Sequence, residues 1–326
     1  MSKFKSAIEK FTKLSMFVSE FSRDMALYIR YCGVSPLQDP TKKRYYKLLI
    51  EAHALEKGLS LKDPRPLFGK AKITFLMREL ERYDLSYSPF PAQMVLGVFD
   101  TYLRNHRERG IVAPLLDELE AYLSRMTSTA NVVPNGGLRH FDTAYQFDSI
   151  SPNVFLASRF SNRVMSQESV SLDLISAAVK VAQSAPSQCN RQAAQAHFYQ
   201  QPAKISELLA LQGGAGGFAQ EVGNLFVVSC DLAAWGGAQQ RNQLYVDGAL
   251  FSMALIYALH AAGIATCPLN LAVRNTQEKR IKAAAGIPQD QRLIMMIAVG
   301  TPIGDGGFKA AASPRRDTAE MLHIHA

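Results

Sequence analysis

The sequence predicts an α+β chain in two parts, an all-helical first part and a second part in which helices and strands alternate around one sheet. Three observations carry this. Up to residue 126 apolar residues recur at three- and four-residue spacings and strand-like alternation is essentially absent. From about residue 152, short Val/Ile/Phe-rich runs alternate with helical patterns. Between them, residues 127–150 have the polar, Pro/Gly-containing composition of a connector, including Val133-Pro134-Asn135-Gly136-Gly137. The expected division is therefore a helical domain over 1–126, a linker over 127–151 and a second domain over 152–326.

The first helix is expected over 4–29, where Phe4, Ile8, Phe11, Leu14, Val18, Phe21, Met25 and Tyr28 form one face and Lys3, Lys5, Lys10, Lys13 and Arg23 lie mostly off it. Such a basic amphipathic helix suits an anionic membrane surface, but packing against its own protein is the expected role. After the break from Ser35 to Pro40, a helix is expected over 44–58 with Gly58 as its stop. Within it His53 and Glu56 stand three apart, which suggests either a metal pair or a helix–helix polar contact. A second such helix is missing, so the polar contact is expected and no metal site is assigned. Further helices are expected over 70–84 and 92–126, separated by Pro89-Phe90-Pro91.

In the second part, helices are expected over 169–185, 203–211, 244–262 and 277–285, with strands over 194–200, 224–230 and 292–300. The last strand is apolar on both faces and so belongs in the middle of its sheet.

Composition narrows the function classes. Of 326 residues, 48% are hydrophobic and 20% charged, which is globular composition and excludes a fibrous or largely disordered chain. The net charge of +8 is spread, with 22 basic and 17 acidic residues in 1–150 and 14 and 11 in the remainder. That spread argues against a dedicated nucleic-acid module. No run approaches 18 consecutive apolar residues, so no membrane-spanning helix is expected. The N-terminus lacks the apolar core and cleavage site of a secretory signal, and the cysteines Cys32, Cys189, Cys230 and Cys267 are widely spaced. Reduced thiols in the cytoplasm are the expected context.

Four polar clusters punctuate the second part: Ser158-Arg159-Phe160-Ser161-Asn162-Arg163; Ala185-Pro186-Ser187-Gln188-Cys189-Asn190-Arg191-Gln192; Cys267-Pro268-Leu269-Asn270; and Ser313-Pro314-Arg315-Arg316-Asp317. On an extended backbone residues 159, 161 and 163 share a side, so two guanidiniums and a hydroxyl could meet one phosphate. These clusters, with Asp247-Gly248-Ala249 opening a long Ala-rich helix and a late Val299-Gly300-Thr301-Pro302, resemble in order and spacing the nitroreductase family of FMN-dependent oxidoreductases. The resemblance covers about residues 152–326.

The resemblance implies a three-layer fold, a mostly antiparallel sheet flanked by helices, and a homodimer that builds each site across its interface. It implies that Arg159, Phe160, Ser161 and Arg163 meet the phosphate and ribityl chain of FMN. Pro186, Ser187, Asn190 and Gln192 would line the flavin from the partner subunit, and Pro268, Leu269 and Asn270 would run along the isoalloxazine face. Arg315, or Arg316 if the register slips by one, would close on the phosphate. NADH or NADPH would be the electron donor and a nitro compound, quinone or more specialised molecule the acceptor. Positive charge near the flavin pyrimidine is expected from Arg163 and Arg191.

The sequence departs from the family pattern at Gln192-Ala193-Ala194, where an aromatic residue is usual. The segment between Gln192 and Asp247, about 55 residues, is also short for the usual pocket cover. The helical first part is expected to supply some of that cover. The runner-up reading keeps the fold but makes the flavin structural or lost, with the helical part docking a partner or a membrane-associated biosynthetic complex.

Other features carry bland expectations. Gly213-Gly214-Ala215-Gly216-Gly217 follows a helix and precedes a strand, the reverse of a dinucleotide loop, and reads as a connector. His197, His260 and Trp235 are expected to pack, Cys189 to be a spectator thiol, and His323 and His325 to be tail residues.

Overall fold

The computed structural model describes residues 2–59, 64–130, 132–138, 151–303 and 318–325. The first part is helical: α1 (Ser2–Tyr31), α2 (Pro40–Leu59), α3 (Lys70–Glu81), α4 (Phe90–Glu108) and α5 (Pro114–Ala130). The single helix expected over 92–126 is two, because Gly110 adopts φ 70° and Pro114 opens the next helix, where its missing N–H costs nothing. α4 is the central helix, with Val95, Leu96, Val98, Phe99 and Tyr102 fully buried against Leu48, Leu49, Leu55, Leu76 and Leu119. Residues 132–138 run along α4. Asn135 N–H donates to Gln93 O at 2.8 Å, and a Cβ on Gly97 would stand 2.3 Å from Gly136 N, so only glycine lets the two backbones approach. His53 Nδ1 lies 3.1 Å from Glu56 Oε2, whose other oxygen accepts from Gly137 N–H at 3.0 Å.

The second part contains α6 (Pro152–Ser158), α7 (Leu172–Ala182), β1 (Ala194–Tyr199), α8 (Pro202–Gln212), β2 (Asn224–Asp231), α9 (Gln243–Ala261), β3 (Ala265–Asn270), α10 (Asn275–Ala285) and β4 (Gln291–Gly300). The sheet is antiparallel throughout in the order β1-β2-β4-β3, and it lies between two helical layers. Leu225 and Val227 of β2 pack with α8 and α10, while Phe226 and Val228 pack with α7 and α9. The class is α+β and β4 is central, as the sequence predicts. β3 is the strand that the sequence reading missed. Pro268 sits in it because β3 is an edge strand, where a residue without an N–H breaks no ladder.

β4 changes phase at one residue. Val228 pairs with Met295 and Ser229 with Leu293, leaving Ile294 as an extra residue, a β-bulge. The bulge lets Leu293 and Met296, three apart, face the same core. Opposite Ile294 lies Gly248 of α9, where a Cβ would stand 2.7 Å from Ile294 Cγ1 and 3.0 Å from Cys230 Sγ. α9 is long and apolar enough to cross a membrane by composition, with a mean hydropathy of 1.4, but half of that stretch is buried inside the fold.

The two parts share one hydrophobic core: Cys230, Leu232, Ala233, Ala234 and Trp235 cluster with the residues of α2 and α4. Polar ties fasten the joint. Gly33 N–H donates to Trp235 O at 2.7 Å, and Lys42 Nζ lies 2.9 Å from Asp231 Oδ2 and 2.6 Å from Asp290 Oδ2. Burial pulls the Lys42 ammonium down, but the two carboxylates outweigh it and hold its pKa above the usual lysine value.

α1 docks differently from the expected face. Glu20 accepts from Asn275 N–H and Nδ2 at 2.7 Å at the start of α10, Asp24 pairs with Arg292 at 3.1 Å, and Leu27, Tyr28 and Tyr31 pack on the core. These contacts rotate Val18, Phe21 and Met25 outward, at 61%, 71% and 59% exposure. Polar pairing with α10 and β4 therefore turns Val18, Phe21 and Met25 of the expected face outward while Tyr28 of that face packs inward; the side chains of Phe4, Ile8, Phe11 and Leu14 lie outside the described residues.

Removing one partner of a buried pair strands the other charge, so Lys42→Ala should cost about 3–5 kcal/mol in urea unfolding. Adding Asp231→Asn to that background should recover part of the loss. Because the folded pKa of Lys42 is raised, its contribution is intact below the ordinary lysine range and disappears as pH rises through the raised value. Stability of the wild type should therefore fall more steeply in that alkaline window than stability of Lys42→Ala, in which the buried tyrosines still titrate there.

Candidate functional site

Two cavities flank α9, toward opposite ends of the helix. Toward its end, Met253, Ile256 and Tyr257 line a cavity of about 440 Å³ with Leu156, Ala157, Arg159 and Pro268. Toward its start, Asp247 and Phe251 line a cleft of about 400 Å³ with Pro186, Ser187 and Gln192. They share no lining residue, so the clusters at 159–163 and 267–270 come together in one place and the cluster at 185–192 in another.

In the first cavity the segment after α6 runs beside the edge of β3, with Asn162 N–H donating to Thr266 O at 2.9 Å. Asn162 is buried and its Oδ1 accepts from Val164 N–H at 2.8 Å, which pins the turn of the segment. Arg159 and Ser161 are half-buried, Phe160 is 37% exposed and Arg163 is exposed. Among the described residues neither arginine pairs with a carboxylate. Burial pushes the Cys267 thiol up while Arg163 and Arg159 pull it down, so both cations act on the same point of β3. Arg159 lines the cavity, whereas the Arg163 guanidinium lies 5.9 Å over the ring of Phe218, a residue of the core on the α8 and α10 side. Of the β3 residues, Pro268 lines the cavity and Leu269 turns into the core beneath the sheet. Asn270 binds its own loop, its Oδ1 accepting from Ala272 N–H at 3.1 Å. Arg315 and Arg316 lie outside the described residues.

The cleft is built on a buried carboxylate that the sequence reading passed over. Asp247 Oδ2 accepts from Ser187 Oγ and Gln188 N–H, both at 2.9 Å, and Oδ1 accepts from Gln243 Nε2 at 2.8 Å. Ser187 Oγ in turn accepts from Gln192 N–H at 2.9 Å, and Gln192 Nε2 donates to Asn190 Oδ1 at 3.1 Å. This network holds Cys189, Asn190 and Gln192 at φ of 52°, 52° and 50°, left-handed conformations that side chains other than glycine rarely adopt. Backbone strain of this kind persists only where the surroundings over-determine it, and it concentrates at binding and catalytic sites.

Arg191, expected beside the flavin, is buried. Its guanidinium lies 5.2 Å over the Trp235 ring and donates to Gln188 Oε1 at 2.7 Å and Gln240 Oε1 at 3.2 Å, and burial lowers its pKa. It braces the joint between the two parts of the chain. Trp235 is fully buried, as expected of a packing residue. His197 Nε2 lies 3.0 Å from Ser229 Oγ with its pKa lowered by burial, and His260 Nε2 lies 2.7 Å from Ser158 Oγ.

Two further residues of the cleft come from the helical part, Tyr45 of α2 and Phe90 of α4. They stand beside Gln192, Ala193 and Ala194, which line the same cleft. Burial pushes the Tyr45 hydroxyl up to about 12, so it stays a neutral donor.

Hydrogen bonds to a charged group are worth about 1.5–3 kcal/mol each, so Asp247→Ala should destabilise the protein by about 3 kcal/mol or more. Amide exchange at 187–192 should accelerate well beyond that of the sheet.

No family model matches the chain, and no curated protein matches it. Among solved structures it is similar to the NfrA1 nitroreductase from B. subtilis, at 19% identity over 54% of this chain and 74% of that one, TM-score 0.47. It is similar to an FMN-dependent nitroreductase from Clostridium difficile R20291, at 18% identity over 53% of this chain and 98% of that one, TM-score 0.44. It is also similar to a nitroreductase-like protein from Streptococcus mutans, at 20% identity over 54% of this chain and 98% of that one, TM-score 0.45. These matches cover about half of the chain.

Proposed function

We propose that the chain is an FMN-dependent oxidoreductase that works as a homodimer. The observation that carries the reading is Arg159, a cation with no carboxylate partner among the described residues, at a cavity whose other lining side chains are Leu156, Ala157, Met253, Ile256, Tyr257 and Pro268. That donor set suits a ligand with an anionic end and a flat, largely apolar body, and FMN fits it. Arg159 would bind the phosphate with Ser161 and Arg163 nearby, and Pro268 would lie against the ring system. FMN supplies hydride transfer from NADH or NADPH to an electron-poor acceptor, the two binding in ping-pong order. The chain's residues bind, orient and enclose; Arg163, exposed and cationic, is the available source of positive charge near the bound group.

The separation of the two cavities supports the homodimer reading. Ser187, Asn190 and Gln192 would reach a flavin held at Arg159 from a second copy. α9 is apolar nearly all round, yet Val246 and Leu250 are 50% and 42% exposed, a face that is uncovered among the described residues and that a second copy would cover. The four free thiols suit a reducing, cytoplasmic setting.

Purified protein should be yellow and bleach on adding NADH or NADPH under nitrogen; a colourless protein that fails to take up FMN would sink the proposal. Losing the charge-assisted bonds of Arg159 should weaken FMN binding about 10- to 150-fold in Arg159→Ala, measured by equilibrium dialysis. Leu250→Glu should yield a folded monomer in sedimentation that retains little flavin.

A further inference from the structure

We infer that Tyr45 and Phe90 are specificity-determining residues of the cleft at the start of α9, selecting flat, uncharged aromatic ligands over anionic ones. The inference rests on the oxidoreductase reading only in taking the ligand to be the electron acceptor.

Three rings, Tyr45, Phe90 and Phe251, line a space of about 400 Å³, the size of a one- or two-ring molecule. Two of the three come from the helical part, which the nitroreductase-like half does not contain. The charge of the lining is equally selective. Its one ionisable acid is Asp247, whose oxygens are engaged by Ser187, Gln188 and Gln243, and the lining contains no lysine, arginine or histidine. Among the described residues no cation lines the cleft: Lys42 is committed to Asp231 and Asp290, Arg191 to Gln188 and Gln240, and Lys180, next to Val179 of the lining, is exposed on α7 outside it. Among the described residues an anionic ligand would therefore meet a carboxylate and no counter-charge in the lining. A neutral ring would stack on Tyr45 and Phe90 and find an amide donor in Gln183 for a nitro or carbonyl oxygen.

The test uses the full-length oxidised protein without any nicotinamide donor and two probes of one shape, 4-nitrobenzyl alcohol and 4-nitrobenzoate, in calorimetric titrations. The neutral probe should bind about tenfold or more tightly than the anion. Tyr45→Ala and Phe90→Ala should each weaken the neutral probe about 5- to 10-fold while leaving FMN content and bleaching by NADH unchanged. Tyr45→Phe should retain wild-type affinity, since it keeps the ring. If either alanine variant fails to fold, as circular dichroism would show, Phe90→Leu serves instead and should lose part of the affinity, because it keeps volume but not the ring face. Equal affinity for the two probes, or unchanged binding in the variants, overturns the inference. A colourless protein with these affinity differences intact removes the oxidoreductase reading and leaves the cleft as a site for neutral aromatics.

Discussion

Lys42 holds the molecule together at its seam. Its ammonium sits between Asp231, at the end of β2, and Asp290, at the entry to β4, so a side chain near the start of α2 clamps the adjacent ends of two central strands. Three residues further along α2 comes Tyr45, and α2 packs on α4, whose first residue is Phe90. Fixing Lys42 therefore fixes where these two rings stand over the sheet. The clamp adds direction to a joint that apolar burial alone would leave freer to slide, because a shared core of Trp235, Leu232 and the α2 and α4 leucines is adhesive without being strongly directional.

α9 is the second organising element, and its demands conflict. Its start must carry a buried carboxylate, Asp247, to hold a strained loop, and the next residue must be Gly248 to lie close on the bulge at Ile294. Its end must offer Met253, Ile256 and Tyr257 to the arginine cavity. The outer face remains partly exposed and apolar, with nothing among the described residues to cover Val246 and Leu250. A helix that meets all of these at once is apolar nearly all round, which is why its composition resembles a membrane span although one face is spent on a sheet.

What the sequence made legible follows from what is local. Most helices of the first part, three of the four strands and the Gly213 region were visible because periodicity and turn residues are properties of neighbours along the chain, whereas α5 runs on to Ala130, into the stretch expected as linker. β3 was hidden because Pro268 and the polar residues around it read as a loop, and only its edge position makes a proline acceptable there. The face on which α1 docks was misjudged because Glu20 and Asp24 find Asn275 and Arg292, partners some 250 residues away. Arg191 was assigned to the flavin on cluster membership, yet the side chain turns onto Trp235, and nothing in the spacing distinguishes the two directions. Asp247 carried one faint signal, an acid inside an apolar helix, which seldom stays buried unless it is hydrogen-bonded.

The helical part raises a geometric question that its docking site answers. An added region of this size could block pairing of two copies, since it lies against the same sheet-bearing half. It packs instead over the ends of β2 and β4 and the 185–192 loop, reaching the cleft through Tyr45 and Phe90. Val246 and Leu250 of α9 remain uncovered among the described residues. One side of the fold thus gains aromatic cover, and the face that a second copy would need stays open. The helical part contributes Tyr45 and Phe90 to the cleft lining, while Arg159 and the Ser187 loop stand in separate cavities of the same chain.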